Sequence, residues 1–482
     1  MGKRGIVSLG GYIPHQRLAR QAIANAYTWL KPSGDFRPKG TRAVSSHDED
    51  SITMAVEAAG YALNGINSQL ISKLFFASTS MPFADRQNSA VIAEALSLSN
   101  NLHTTDISGS LKSGLSALLQ AMESSQDALV VAAEKRIAKP ASPQEMSFGD
   151  GAAAFVVGDN DLLTEYLGAY SLSVDMTDHY RTDELKFGYY LEERWVREEG
   201  YLKLIPKAIK GLLEQTNTVA QNIDHVVLFG PDVSASKKIS TICGLSTDAL
   251  CDDLHYSCGN TGSSHALLML ADTLQKATPG QLILVAGFAQ GCDSILFRAT
   301  ENIAKAKYFH GVQNALIEAK DTDDYVKYLS LSNLIELDWG IRAERDNRTA
   351  HSVFYRQRDA LTSFVGGRCE FCDTVQFPRS RVCVNPACHK TDTQSAEPFR
   401  DKKAHIKSYT QDWLAHCYNP PFKYGNVAFE GAGVVMMEFV GFEADELSVG
   451  VPVKMVFRIK DQDLQRGYHR YFWKAGPVPK VK

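Results

Sequence analysis

Four cysteines in the C-terminal part of the chain carry the plainest chemistry. Cys369-Glu-Phe-Cys372 is followed, after ten intervening residues, by Cys383-Val-Asn-Pro-Ala-Cys388. Two close pairs can offer four thiolates to one tetrahedral ion, each pair turning so that both sulfurs point inward. Zinc suits this ligand set, and four protein ligands close its coordination sphere, so the expected role is structural. A lone C-x-x-C can be a redox pair, but two pairs within about 20 residues favour a zinc ribbon. His389, beside the last cysteine, could stand in for one ligand.

A second stretch, Asp106-Ile-Ser-Gly-Ser-Leu-Lys-Ser-Gly-Leu-Ser-Ala-Leu-Leu-Gln-Ala-Met122, opens with small residues. It then places Leu111, Leu115, Leu118, Leu119 and Met122 on one helical face. The apolar runs Leu74–Ala77 and Ala128–Ala132 flank it and read as strands buried on both faces. Short strands alternate with helical patterns through the first 300 or so residues, the signature of an α/β fold. Gly149 to Val157 and Gly287 to Phe297 each give a glycine turn before a strand, which suggests an internal duplication. Charged helical segments then lead through a polar linker, Arg342–Arg348, into a β-rich tail. The expected divisions are two α/β halves over 1–165 and 166–302, a helical linker over 303–360, a zinc ribbon over 361–398 and an OB-fold over 399–482.

Bulk properties narrow the function classes. Of 482 residues, 44% are hydrophobic and 22% charged, an ordinary balance for a globular protein. The formal net charge of -4 gives no basic excess, so no nucleic-acid partner is expected. No apolar run approaches the roughly 20 residues that span a bilayer. The N-terminus enters a strand without the apolar core of a signal peptide, and the expected compartment is the cytoplasm. Nine cysteines fit that compartment if four bind metal and five stay as thiols.

Gly5 to Leu18, Thr105 to Leu118, Lys139 to Gly158, Trp195 to Tyr201, Gly259-Asn-Thr-Gly-Ser263 and Gly287 to Phe297 carry a family resemblance. These segments look like a 3-hydroxy-3-methylglutaryl-CoA synthase or ketoacyl-ACP synthase III type member of the thiolase superfamily. The cysteine pairs, Phe429-Glu-Gly431 and Tyr471-Phe-Trp-Lys-Ala475 resemble the zinc-ribbon/OB-fold domain that accompanies acyl-CoA thiolases. The resemblance implies a duplicated, layered αβαβα fold followed by the all-β tail, with coenzyme A as part of the substrate. It also implies acyl transfer through a cysteine at a helix N-terminus, assisted by a histidine, an asparagine and a glutamate. Here the cysteine position holds Leu111, the histidine position falls at Gly230 and the glutamate position near Thr79, in Ala77-Ser-Thr-Ser80, while Asn260 matches. Leucine cannot form a thioester. Lys112 reads as structural.

Other residues near these positions could move protons or hold a thioester. His255 and Tyr256 precede the asparagine loop and could be acids or bases, or hydrogen-bonded core residues. Asp232 could act as a base in place of the missing histidine, or simply form a turn after Pro231. Cys258, Cys292 and His265 read more readily as core. The Gly287–Gly291 turn could present backbone N–H groups to a thioester oxygen, or merely connect strands.

Two functions compete. In one, the chain is an acyl-CoA-binding subunit of a complex that makes or breaks a carbon–carbon bond, with a cysteine-bearing thiolase as partner. In the other, it is a retro-aldolase for a β-hydroxyacyl-CoA, which needs a base and an oxyanion site but no acyl-enzyme. That enolate site would be Asn260, with Tyr256, His255 or Asp232 as base. The balance of residues leans to the subunit reading and away from an ordinary synthase. Both readings predict an oligomer.

Overall fold

The computed structural model describes residues 3–30, 38–230, 232–340, 350–463 and 465–479. Pro231 and the linker expected over Arg342–Arg348 lie outside the described residues. The chain divides into two compact units. One comprises Met1–Ser46, Asp50–Ala90 and Leu98–Ser332, and the other His47–Glu49, Val91–Ser97 and Asn333–Lys482.

In the first unit the principal elements begin with strand β1 (Gly5–Tyr12), helix α1 (Ser51–Ala62) and strands β2 (Lys73–Ala77) and β3 (His103–Ile107). Helix α2 (Ser113–Glu123) and strands β4 (Ala128–Glu134), β5 (Gly151–Gly158) and β6 (Thr164–Leu172) follow. Next come helix α3 (Leu202–Gln215), strand β7 (His225–Phe229), helices α4 (Val233–Cys243) and α5 (His265–Lys276), and strands β8 (Leu282–Phe288) and β9 (Cys292–Ala299). Asp50 starts α1 with a capping box: its Oδ1 accepts from Thr53 N at 2.9 Å, and Thr53 Oγ1 accepts from Asp50 N at 2.8 Å.

The nine strands form one sheet in the order β7-β8-β9-β6-β1-β5-β4-β2-β3. Outward from the β1–β6 seam, one side runs β5, β4, β2 with pairings antiparallel, antiparallel, parallel. The other side runs β9, β8, β7 with the same sequence of pairings. An isolated parallel bridge from Val226 to Leu250 marks where the second half would carry its counterpart of β3. The duplication is therefore a property of the topology. Strands β4 and β5 are buried along their whole length, as their unbroken apolar runs require. Helices α2 and α5 touch each other and strands of both half-sheets, whereas α1 packs on the first half and α3 on the second. These contacts give the layered αβαβα order.

The second unit is all-β where it is most regular. Strands β10 (Val365–Cys369), β11 (Val375–Gln376) and β12 (Gln394–Pro398) make a three-stranded sheet in the order β11-β10-β12. Strands β13 (Ala404–Asp412), β14 (Phe422–Phe429), β15 (Gly433–Glu438), β16 (Pro452–Asp463) and β17 (Tyr468–Pro477) form the five-stranded OB-type sheet, ordered β15-β14-β13-β16-β17. Phe364, fully buried just before β10, packs its ring against Phe377, Phe399, Phe429 and Phe472, so the ribbon and the larger sheet share one aromatic core. Among the described residues no helix is long and apolar enough to cross a membrane.

Candidate functional site

Leu111 lies immediately before α2, 7% exposed, in the same buried apolar cluster as Leu115, Phe229 and Ala289. The start of α2 abuts the turn that opens α5. A Cβ on Gly114 would fall 2.1 Å from Ser263 O, so only glycine lets the two helix starts meet. Asn260 precedes that turn, and its backbone bridges Phe148 on the strand side. Gly259 makes this approach possible at φ +84°, where a Cβ would meet Phe148 O at 2.6 Å.

The Asn260 amide has a fixed orientation. Its Oδ1 accepts from Arg136 Nη1 at 3.0 Å and from Gly262 N at 2.9 Å. The NH2 edge is left as the free donor among the described residues, the polarity needed at a thioester or enolate oxygen. The Arg136 guanidinium lies 3.5 Å from the centre of the Phe148 ring. Burial lowers its pKa, and Tyr190, Glu134, Asp178 and Asp150 act in the opposite sense. Tyr190 therefore faces Arg136, and burial raises the pKa of its phenol.

A two-stranded hairpin carries Tyr190. His179–Tyr180 pairs with Tyr189–Tyr190, with His179 opposite Tyr190. The two rings stack at 5.0 Å and 9°. His179 Nδ1 and Asp178 Oδ1 are 2.8 Å apart. Arg181, next along the hairpin, donates to Thr79 O at 3.4 Å. The Thr79 N–H in turn donates to Glu134 Oε1 at 2.6 Å, and Ser80 Oγ and Ser263 Oγ donate to the same carboxylate at 2.7 and 2.8 Å. A glutamate thus stands near the position the resemblance assigns to one, but it comes from the end of β4.

Gly230, where the resemblance expects a histidine, has φ +114°, and a Cβ there would lie 3.4 Å from the Tyr201 ring. Tyr201 packs edge-to-face on Phe288 at 5.0 Å, and burial raises its pKa strongly. A tyrosine borders the space a histidine would enter.

The remaining sequence candidates fall as follows. Asp232 accepts from Ala235 N at 2.7 Å and caps α4. Tyr256 is about half exposed, with Lys39 Nζ 4.9 Å from its ring centre. His255 stands edge-on to Tyr256 at 5.4 Å, and burial followed by the Arg20 charge lowers its pKa. His265 accepts from Thr261 N at 3.1 Å and places Nε2 2.8 Å from Asp253 O; burial pushes its pKa down to about 4. It is a neutral core histidine. Lys112 Nζ lies 3.1 Å from both oxygens of buried Asp293, which also accepts from Ser116 Oγ. Burial pushes the Cys258 thiol up to about 12 and raises that of Cys292 further. Gly287 faces Leu115, whose Cδ1 would be 2.6 Å from an added Cβ, and Gly291 turns at φ +106° against Leu172 O.

Arg136, Glu134, Tyr190, His179 and Asp178 escape a reading based on motifs. One signal was present: Glu134-Lys-Arg136 puts charges at the carboxyl end of a fully buried strand, where α/β folds place ligands. The hairpin strands are two residues each, too short to show a period.

Cys369, Cys372, Cys383 and Cys388 bring their sulfurs within 4.8 Å of one another, with 3.8 Å between Cys369 and Cys388 and 3.5 Å between Cys372 and Cys383. Four thiolates at the Zn–S distance of about 2.3 Å around a tetrahedral ion stand about 3.8 Å apart, so these residues fit zinc. His389 lies outside this group.

Residues 358–394 match the family described as ChsH2, rubredoxin-like zinc ribbon domain. The hydroxymethylglutaryl-CoA synthase of Archaeoglobus fulgidus is 30% identical over 337 residues, 67% of this chain and 97% of that protein. The synthase of Caldivirga maquilingensis is 28% identical over 349 residues, 70% of this chain and 99% of that protein. Among solved structures, MvaS in complex with 3-hydroxy-3-methylglutaryl coenzyme A superposes with TM-score 0.58 at 19% identity, covering 73% of this chain and 95% of that one. The 3-oxoacyl-[acyl-carrier-protein] synthase III from Aquifex aeolicus VF5 gives 0.54 at 16% identity, covering 61% and 99%. These structural likenesses speak to the fold.

Proposed function

The chain belongs to the hydroxymethylglutaryl-CoA synthase family, and on that premise we propose that it binds an acyl-CoA and handles a carbon–carbon bond beside the thioester without an acyl-enzyme of its own. The favoured reaction is aldol cleavage or formation of a β-hydroxyacyl-CoA through an enolate. One observation carries this reading: the Asn260 amide oxygen is taken by Arg136 and Gly262, which leaves its NH2 as the donor for an enolate oxygen. Leu111 offers no electron pair at the helix start, and Cys258 and Cys292 are buried thiols with raised pKa values, poor as nucleophiles. The cysteine pairs hold a structural zinc.

A second reading has a specific support. Leu111 leaves the start of α2 intact but without a nucleophile, as suits a subunit whose cysteine-bearing thiolase partner performs the acyl transfer. The test is to incubate the purified full-length chain with 3-hydroxy-3-methylglutaryl-CoA and longer β-hydroxyacyl-CoAs, following products and intact protein mass. Release of an aldehyde or ketone with a shorter acyl-CoA, and no acyl adduct, supports the aldol reading. Activity that appears only with a co-purified, acylated thiolase replaces it with the subunit reading, and an acylated cysteine in the first unit overturns both.

A further inference from the structure

We propose that His179, oriented by Asp178, is the acid–base residue of this site, taking the position in the chemistry that Gly230 has vacated. The inference rests on the aldol reading above. Three observations converge on it. Asp178 occupies His179 Nδ1 at 2.8 Å, so among the described residues Nε2 has no protein partner. A carboxylate behind an imidazole in this way sets the tautomer and leaves the far nitrogen to exchange protons. The ring is held flat by its 5.0 Å stack on Tyr190, directly across the hairpin. Thr177 Oγ1 donates to His179 O at 2.6 Å and Leu191 N donates to Asp178 O at 2.9 Å, so the backbone on which the dyad stands is tied down.

The dyad is linked to the oxyanion donor through two side chains, Tyr190 and Arg136. Tyr190 interacts with Arg136, and Arg136 holds Asn260 Oδ1 at 3.0 Å. On the other side, Arg181 reaches Thr79 O, so the hairpin extends over the position the family gives to its glutamate. The side chains of both His179 and Asp178 are about one-fifth exposed, open enough to meet a substrate.

In the cleavage direction, His179 Nε2 takes the proton of the β-hydroxyl group. The oxygen lone pair forms the new C=O bond as the Cα–Cβ bond breaks, and that electron pair moves to the thioester as an enolate whose oxygen accepts from Asn260 Nδ2. The aldehyde or ketone leaves. The protonated imidazole then returns its proton to Cα, giving the shorter acyl-CoA. No oxidant, reductant or co-reactant is consumed.

The experiment compares wild type, His179→Ala, His179→Gln and Asp178→Asn in the full chain, measuring turnover of the best β-hydroxyacyl-CoA, acyl-CoA affinity and thermal melting. The His179 variants are expected to lose about 10²–10⁴-fold in kcat, the usual range for a positioned acid or base, with KM and acyl-CoA affinity within about threefold of wild type. Added imidazole should restore part of the rate of His179→Ala. Asp178→Asn should lower kcat without rescue by imidazole, as a positioning residue would. If His179→Ala keeps more than about a third of the rate while Asn260→Ala is inactive, the acid–base assignment is overturned and the aldol reading stands. If wild type binds acyl-CoA but turns over no β-hydroxyacyl-CoA, the aldol reading falls and takes the assignment with it. If the His179 variants melt early and imidazole restores nothing, His179 is structural and the assignment is overturned.

Discussion

Asn260 is the residue on which the proposed chemistry depends most directly. Its amide oxygen is already occupied by Arg136 and Gly262, so its catalytic use is confined to the NH2 edge. Asn260→Ala removes one oxyanion donor, and kcat for carbon–carbon cleavage should fall by about 10²–10³-fold with acyl-CoA affinity nearly unchanged. An affinity loss of the same size would make Asn260 a binding residue instead. Cysteine chemistry offers a separate check. Burial pushes the Cys258 thiol up to about 12 and raises Cys292 as well, so both should resist iodoacetamide at pH 8 in the folded protein and react after unfolding. Peptide mass mapping reads this, and rapid alkylation of either would reopen covalent catalysis. Sequence reasoning located Asn260 because a glycine-bounded loop before a buried helix is a short, local pattern. It did not locate Arg136, which lies 124 residues away and acquires its role only when the Asn260 loop pairs with the segment at Phe148.

At the scale of elements, the sheet of the second unit depends on buried charge as well as on its aromatic core. Lys474 on β17 lies 2.9 Å from both Asp48 and Glu438; Lys474 and Asp48 are buried and Glu438 is largely so. Burial by itself would raise the Asp48 pKa, but Lys474, His47 and Arg458 outweigh it and hold the carboxyl well below the usual range. Glu438 is lowered too, against burial, by Lys474 and Lys460. Lys474→Met would strand the buried Asp48 carboxylate and leave Glu438 to Lys460 alone, and should destabilise the unit by about 3–5 kcal/mol near neutral pH. The pH dependence has a definite sign. Folded-state carboxyl pKa values below the unfolded ones add stability that is complete above about pH 4–5 and is lost as pH falls through the depressed values. The gap between wild type and Lys474→Met, measured by denaturant titration from pH 7 to pH 3, should therefore close on the acid side. A gap independent of pH would mean that packing, not charge, dominates. The hairpin His179–Tyr190 is a contrasting element: its strands have no apolar period of their own, and ring stacking and Arg136 hold it in place.

For the molecule as a whole, a thiolase-type α/β unit and a zinc-bearing β unit share one chain. Elemental analysis should find one zinc per chain. Cys383→Ser should lose it and become protease-sensitive within residues 361–398, because one missing ligand opens the coordination sphere that the ribbon needs. Full zinc occupancy in that variant would point to a different ligand set. Local patterns in the chain specify the alternation of buried strands and helices, the cysteine quartet and the identities at Leu111, Gly230 and Asn260, and they hint at the duplication. Each of these is written in local periodicity or in a short motif, where neighbours in sequence are neighbours in space. Which polar groups gather near Asn260 depends on the folded chain. Arg136 reaches its amide from just past the end of β4, Glu134 accepts from Ser263 in the same loop, and His179 and Tyr190 connect through Arg136 from a hairpin without periodicity. A site assembled from segments far apart in the chain leaves no spacing to read, because its geometry is set by how the strands pair and which faces they bury.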